Sequence, residues 1–336
     1  MYKEKQSKYA FFIKAATGLC ILCSSFILAM VLGPGDITVR EIWFVLTDSV
    51  SNSQTSIIKE IRLPREIGAV FVGAALAVSG AVMQGMTRNP LADPGLLGLT
   101  AGANAMLAVT AALFPAISYF GTMIACFAGA ALGAIVVFRI SAATYGGHSP
   151  FRIVLAGAAV SAFLFAISEY IGLQFKVSKD ITMWTAGGLI GLSWGELKVI
   201  IPFIVMGIIG AFIYSKQLTI LSLNEEVAVG LGQNIARVKW VLLIIIVILA
   251  GAAVALVGNM AFIGLMIPHI VRPFVGTDYQ FILPMSAMIG ASFMLLADTL
   301  GRTINAPFET PVVAIVALLG LPFFLMYVRR GGSAFS

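Results

Sequence analysis

The feature that most constrains this chain is the length of its charge-free stretches. Residues 94–138 contain no Asp, Glu, Lys or Arg over 45 positions, and 199–215 and 240–268 are also free of charge. A helix needs about 20 apolar residues to cross a bilayer. Only 11% of the 336 residues are charged, against about 25% in soluble domains. The sequence therefore predicts an all-α polytopic membrane protein, because a transmembrane barrel would show alternating segments of about ten residues.

Charge-free length divides the chain, which we expect to form one transmembrane domain over 1–336, into about ten transmembrane helices. The eighth segment is short and contains Gly264 and Pro268, so we expect a broken or partial helix packed inside protein. We place the ten segments near residues 12–32, 67–87, 94–113, 117–138, 153–172, 198–215, 239–257, 259–271, 281–299 and 310–328.

The distribution of basic residues predicts the orientation in the cytoplasmic membrane. With the N-terminus inside, 13 of the 21 Lys and Arg residues fall on the cytoplasmic side of these segments, as the positive-inside rule requires. Both termini are then cytoplasmic, and so is the loop that contains residues 222–234. Because the basic residues are scattered singly between apolar runs, they indicate loops that fix the membrane topology and no nucleic-acid partner.

An internal echo offers two explanations that the sequence leaves open. Residues 73–80 read GAALAVSG, residues 251–258 read GAAVALVG, and a proline follows each stretch ten residues later, at Pro90 and Pro268. The copies are five segments apart and would run in opposite directions, as in the inverted repeats of transporters. The alternative is that glycine and alanine are simply frequent where membrane helices pack closely.

A short acidic segment, SLNEEVAVGLGQN at 222–234, stands out between the apolar runs. Ser222 and Glu225 have the spacing of a capping box, which predicts a helix start. Leu223, Val227 and Leu231 then recur every four residues and form a narrow apolar stripe, and Gly232 has the position of a C-terminal capping glycine. This helix is too short to cross a bilayer, so its stripe needs another surface to rest on.

The sequence contains no pattern typical of an enzyme or a metal site. No Gly-Lys pair of a Walker motif occurs, and the two histidines, His148 and His269, do not form HExxH. Cys20 and Cys23 lie inside the first apolar run. Without converging His, Cys or acidic residues, a polytopic membrane enzyme is disfavoured. Glu169 and Asp298 are the candidate charges for an ion-coupled secondary transporter, but both fall near segment ends, where we expect interfacial carboxylates.

Several longer stretches together carry a family resemblance. They are RLPR at 62–65, SGAVMQGMTRNPLADPGLLG at 79–98, WTAGGLIGLSW at 184–194, LNEEVAVGLG at 223–232, FIGLMIPHIVR at 262–272 and LPMSAMIGASFMLLADTLGR at 283–302. With them the chain resembles the membrane permease subunit of the iron-siderophore and vitamin B12 class of ABC importers, the FecCD-type permeases. The chain departs from the usual pattern at Tyr279 and Val313, where the family commonly has histidine and glycine.

The resemblance implies a vitamin B12 importer permease-like fold and a set of partners. These are a second permease chain, identical or homologous, two cytoplasmic ATPase subunits that use ATP and Mg, and an extracytoplasmic substrate-binding protein. It implies ferric siderophores as cargo, with vitamin B12 or haem as alternatives, and no catalytic or metal site in this chain.

Functional residues are implied at three places. Residues 222–232 match the cytoplasmic coupling helix that contacts the ATPase, through Leu223, Glu225, Glu226, Val227, Leu231 and Gly232. The arginines that dock the binding protein match Arg62, Arg65 and Arg302, and the cytoplasmic gate region matches Ser149 and Pro150.

Overall fold

The computed structural model describes residues 2–33, 56–142 and 150–329, and these residues are helical with no strand among them. A π-helical turn, Ile58–Arg62, precedes α2, and a 3₁₀ turn, Pro94–Leu97, precedes α3. The α-helices of the described residues are α1 Tyr2–Val31, α2 Leu63–Thr87, α3 Leu99–Leu113, α4 Tyr119–Ala142, α5 Pro150–Gln174, α6 Ser178–Gly187, α7 Trp194–Ile213, α8 Ser215–Leu223, α9 Glu225–Gly230, α10 Ile235–Val257, α11 Ile263–Val275, α12 Tyr279–Thr303 and α13 Val312–Arg329.

Helix α2 forms the centre of the bundle and packs between α10 and α12. Of the apolar stretch around α2, 83% is buried, and 72% of that around α10, whereas α1 at the periphery buries 11%. Both neighbours run antiparallel to α2. Arg65 near its start contacts Asp298 near the end of α12, and Arg88 at its C-terminus meets the same carboxylate as Lys239 in the first turns of α10.

Small residues allow these central helices to approach closely. A Cβ on Gly80 would overlap the backbone of Gly264 in α11, and a Cβ on Gly73 would overlap the backbone of Gly290 in α12. Such contacts between backbones are the usual use of glycine in membrane helices. The buried Gln84 side chain adds a hydrogen bond from its Nε2 to the carbonyl of Leu265, 3.1 Å away. The glycines of the 73–80 stretch therefore fix the spacing of α2, α11 and α12.

The predicted number of segments is confirmed. Each of the ten regions contains a helix, and seven helices of the described part are long and apolar enough to cross a membrane. The other three are the shorter α3, α11 and α13. Helix α11 has 13 residues, about 20 Å at 1.5 Å per residue, and its first seven are buried, as predicted for a partial helix. The third segment was predicted too long, because a 3₁₀ turn occupies its start.

The short helix α9 defines one end of the bundle, which we call the α9 end; the opposite end is the Arg65 end. The first helix starts at the α9 end, because Lys14 Nζ donates to the carbonyl of Phe274 at 2.7 Å. Helix α13 leads back from the Arg65 end, where Thr310 N–H donates to the carbonyl of Gly301. The start of α1 and the end of α13 thus lie toward one side of the bundle, while the side of the membrane that the two termini occupy stays a prediction.

Opposite directions of α2 and α10 are what the repeat hypothesis requires. They do not separate it from the packing explanation, because Gly73 and Gly80 are themselves contact points between helices. The inverted repeat therefore stays a prediction.

Candidate functional site

The start of α9 differs from the predicted capping box. Ser222 belongs to the preceding helix α8, where its hydroxyl donates to the carbonyl of Thr219 at 2.7 Å. Asn224 caps α9 instead, with its side-chain oxygen accepting a hydrogen bond from the N–H of Glu226 at 3.0 Å. The capping box was wrong because α8, which the sequence did not reveal as a separate helix, extends to Leu223. Asparagine is an equally good N-terminal cap.

The end of α9 is the one that the sequence predicts. Gly232 adopts a left-handed conformation, with φ +78°. Its N–H donates to the carbonyl of Val229 at 2.8 Å, and the N–H of Gln233 donates to the carbonyl of Ala228 at 2.9 Å. This pair of hydrogen bonds is the Schellman motif, which satisfies the last carbonyls of a helix and favours glycine at that position.

The apolar stripe of this segment points away from the protein. Leu223, Val227 and Leu231 are 67%, 46% and 65% exposed, while Ala228 on the opposite side is fully buried. Glu226 is exposed as well. Only Val227 of the stripe lies within α9, since Leu223 ends α8 and Leu231 caps α9. Val229 is 60% exposed as well, so the segment presents four large apolar side chains that the described chain leaves largely uncovered.

Glu225 points the other way, into the protein. Its carboxylate Oε1 accepts a hydrogen bond from Arg88 Nη2 at 2.9 Å and another from Lys239 Nζ at 2.8 Å. The bond from Lys239 holds the pKa of the Glu225 carboxyl below its ordinary value, and the charge of Arg88 acts in the same direction. We call Arg88, Glu225 and Lys239 the Glu225 cluster.

Helix α8, which leads into α9, is held to the start of α12. Asp278 caps α12 by accepting a hydrogen bond from the N–H of Gln280, and the same oxygen accepts one from the Thr219 hydroxyl at 2.9 Å. The N–H of Tyr279 donates to that hydroxyl at 3.0 Å. Tyr279, one of the departures from the family pattern, is buried here, and its hydroxyl accepts a hydrogen bond from Arg272 at 3.1 Å.

The turn after α2 lies beside the Glu225 cluster. Its side chains bond to local backbone, as these residue types commonly do in turns: Asn89 accepts from the N–H of Leu91, and Asp93 accepts from the N–H of Gly95. His269 of α11 contacts the same turn, with its Nε2 2.8 Å from the carbonyl oxygen of Pro90. The turn is therefore tied both to α9 and to the partial helix.

The Arg65 end contains a buried ion network that the sequence analysis missed. The Arg65 guanidinium donates to both carboxylate oxygens of Asp298, from Nε at 3.0 Å and Nη2 at 2.9 Å. It also donates to both oxygens of Glu309, at 3.0 and 2.9 Å. Arg302 pairs with Glu66 and, at 3.1 Å, with Asp298. We call Arg65, Glu66, Asp298, Arg302 and Glu309 the Arg65 network.

Burial distinguishes this network from an exposed surface. Glu66, Asp298 and Arg302 are at most 3% exposed, so Asp298 is a buried, paired carboxylate, while its expected position at the membrane interface stays a prediction. The signal that could have revealed the network is the pairing of Arg65 and Glu66 within one apolar segment with Asp298 and Arg302, four residues apart, in another.

The three arginines predicted to dock a binding protein are thus bonded within the chain. Arg62 is 4% exposed, and its Nη1 donates to the carbonyl of Met30 at the end of α1, 2.7 Å away. The Arg65 side chain is 12% exposed and that of Arg302 is 3% exposed. Their docking role stays a prediction. Of the predicted gate residues, Ser149 lies outside the described residues, and Pro150 begins α5.

Comparison with known proteins identifies the family. Residues 20–330 match the FecCD transport family. The chain belongs to this family. The iron(3+)-hydroxamate import system permease protein FhuB of Bacillus subtilis is 44% identical over 323 residues, which are 96% of this chain and 84% of FhuB. The Fe(3+)-citrate import system permease protein YfmD of the same organism is 41% identical over 300 residues, 89% of each chain.

The solved structure of another protein has the same fold as this FecCD protein. It is a metal-chelate type ABC transporter in an inward-facing conformation, with a TM-score of 0.83 and 27% identity, and the match covers 94% of this chain and 98% of that one. The resemblance to permeases of the iron-siderophore and vitamin B12 class of ABC importers is confirmed. Among the described residues, no group of three or more His, Cys, Asp or Glu side chains could hold a metal ion.

Proposed function

We propose that this FecCD permease moves ferric siderophores across the cytoplasmic membrane, driven by ATP that two partner subunits hydrolyse. The observation that carries the proposal is the exposed face of Leu223, Val227 and Leu231 on a short helix outside the apolar core. A second permease chain, identical or homologous, would complete the path. The cargo follows the two relatives above, whose names refer to ferric hydroxamate and ferric citrate.

The ATPase partners would cover the apolar face of α9. Three side chains of this size, exposed in water, favour association with a complementary cleft. Glu226, exposed beside them, offers a charge to basic groups at the rim of that cleft. Closure of the two ATPases around ATP and Mg would then move α9 and the helices bonded to it, as a rigid-body change that opens or closes the path. In this proposal the gate lies at the N-terminal end of α5, near Ser149 and Pro150.

Docking of the binding protein is proposed at the Arg65 end. Of the carboxylates in the Arg65 network, Glu309 is the most accessible, with 27% of its side chain exposed against 1% for Asp298. An acidic side chain of the partner can therefore reach Arg65 by replacing Glu309. Reversing the charge of Arg65 would break the internal network together with any docking. Glu309→Gln is the cleaner test, and it should tighten docking, more at low salt than at high salt.

The transport experiment uses the full complex in proteoliposomes. The permease, its ATPases and its binding protein are reconstituted, and uptake of ferric hydroxamate, ferric citrate, haem and vitamin B12 is measured with and without ATP inside. We expect ATP-dependent uptake of a ferric siderophore and none by a complex whose ATPase lacks its Walker lysine. Uptake of only haem or vitamin B12 would overturn the cargo assignment.

The secondary-transporter alternative predicts a different result in the same liposomes. The permease alone would move substrate under an ion gradient, with no ATPase present. Such uptake would overturn the proposal that ATP drives this chain.

A further inference from the structure

We propose that Glu225 is a positioning residue that joins α9 to the centre of the bundle, and that the outward face of the segment alone contacts the ATPase. The inference deepens the proposed function and rests on it. It gives different roles to two neighbouring acidic residues that the sequence alone does not distinguish. Glu225 pairs inward with Arg88 and Lys239, whereas Glu226 is exposed.

The two partners of Glu225 belong to the two most buried long helices. Arg88 is the C-terminal cap of α2, with a left-handed φ of +52°, and its N–H bonds to the carbonyls of Gln84 and Gly85. Lys239 lies in the second turn of α10. One carboxylate oxygen therefore ties α9 to the ends of both central helices at once. A displacement of α9 is passed to α2 and α10 through these two bonds and through the short loop to Ile235.

A small cavity lies beneath this contact and brings in a third element. It has a volume of about 60 Å³ and is lined by Glu225 and Lys239 together with Met86 of α2, Phe138 of α4 and Ile153 of α5. Ile153 is three residues from Pro150, where α5 begins. The Glu225 cluster thus sits where α9, the central helices and the first turn of α5 converge, and motion of α9 reaches the gate region there.

The exposure of these ion pairs indicates that the Glu225 cluster positions α9 and contributes little to the stability of the fold. The side chains of Arg88 and Glu225 are each 37% exposed and that of Lys239 is 19% exposed. Ion pairs with this exposure contribute little to the stability of a fold. Replacing Glu225 should therefore leave insertion and folding intact while it loosens α9 from the bundle.

The first test needs no partner protein. Hydrogen exchange of the amides at 225–233 is measured for the isolated permease in nanodiscs, in wild type, Glu225→Gln and the matched control Glu226→Gln. We expect about threefold to tenfold faster exchange in Glu225→Gln, since two partly exposed pairs are lost, and unchanged exchange in Glu226→Gln. Equal exchange in Glu225→Gln and wild type, or equal acceleration in both variants, would overturn the proposal.

The second test measures how transport follows hydrolysis. Substrate moved per ATP hydrolysed is compared in the reconstituted complex, with binding of the ATPase measured separately. Glu225→Gln should bind the ATPase as wild type does but lower the ratio about fivefold or more. The double variant Glu225→Gln, Lys239→Gln should lose no more than Glu225→Gln alone, because both changes break one contact.

The outcomes separate the two proposals. Additive losses in the double variant, or a ratio in Glu225→Gln equal to wild type, would overturn the positioning role. If wild-type permease binds no ATPase, the proposed function fails, and the exchange experiment still decides whether Glu225 holds α9 to the bundle.

Discussion

The two ends of α2 use the same chemistry in opposite ways. At its start, the Arg65 network joins α2, α12 and the loop to α13, and Glu66, Asp298 and Arg302 in it are at most 3% exposed. At its C-terminus, the Glu225 cluster joins α2, α9 and α10 through side chains that remain in contact with water. Each cluster links three elements, and the two ends differ in how far their charged side chains are buried.

Burial decides what each cluster can do. A buried charge that loses its partner is costly, so the Arg65 network fixes the helices around it. A partly exposed charge that loses its partner gains water instead, so the Glu225 cluster can release and re-form at small cost. In the proposed function, the Arg65 network would be the fixed frame and the Glu225 cluster the adjustable contact.

The largest effect is expected at the Arg65 end. Asp298→Asn removes the charge that balances both Arg65 and Arg302, and should lower the free energy of unfolding by about 3–5 kcal/mol. Denaturant unfolding of the detergent-solubilised permease measures it. Glu169→Gln, an exposed carboxylate on α5, is the control and should change little. Wild-type stability in Asp298→Asn would contradict the account of the network.

A smaller loss in the free energy of unfolding is expected where the backbones of α2 and α11 touch. The added Cβ of Gly80→Ala overlaps the backbone of Gly264, and such overpacking costs about 1–3 kcal/mol. Gly230→Ala is the matched control, because no neighbouring atom lies within 4 Å of the position that its new methyl group would occupy on α9. The same unfolding assay applies, and equal stability of the two variants would show that the close approach of α2 and α11 is not needed.

Substitution on the outward face of α9 should spare stability and weaken binding. Val227→Asp changes an exposed side chain, so the free energy of unfolding should stay within about 0.5 kcal/mol of wild type. Affinity for the ATPase should fall about tenfold or more, as for a central apolar contact. Co-purification and titration measure it. Phe308→Asp, at the Arg65 end and 73% exposed, serves as control, and an equal loss there would contradict the assignment.

The smallest effect is a predicted absence of pH dependence. Because the pKa of Glu225 is lowered in the folded protein, its contribution is present above the ordinary value of about 4.3 and is lost only as pH falls through the lower folded value. The exchange difference between wild type and Glu225→Gln, corrected for intrinsic rates, should be constant from about pH 8 to about pH 5. A difference that disappears near pH 6 would show that the cluster loses its charges at a higher pH than this account predicts.

The same contrast explains what the sequence could predict. Apolar length sufficed for the ten segments, because lipid forces every backbone polar group into a helix. Gly232 and the turn at Asn89 and Asp93 were predictable because they depend on their immediate neighbours. The capping box failed through a similar local ambiguity, since Ser222 and Asn224 both suit a helix start and only the extent of α8 decides between them.

Contacts between distant residues could not be predicted in this way. Arg65 and Asp298 are 233 positions apart, so the sequence did not reveal that they bind each other. Glu225 and Glu226 are adjacent and alike in sequence, but only Glu225 accepts a hydrogen bond from Arg88, 137 residues away, in the described part of the chain. Which acid faces inward follows from the packing of α9 against α2 and α10.

The central claim, that α9 is a cytoplasmic element gripped by an ATPase, is tested most directly by thiol labelling from each side of the membrane. Val227→Cys is placed in a chain that lacks Cys20, Cys23 and Cys126, with Phe308→Cys as the control at the opposite end. A membrane-impermeant reagent should label position 227 only from the cytoplasmic face, and bound ATPase should block that labelling but not labelling of position 308 from outside. Labelling of position 227 from outside, or labelling that bound ATPase leaves unchanged, would contradict the claim.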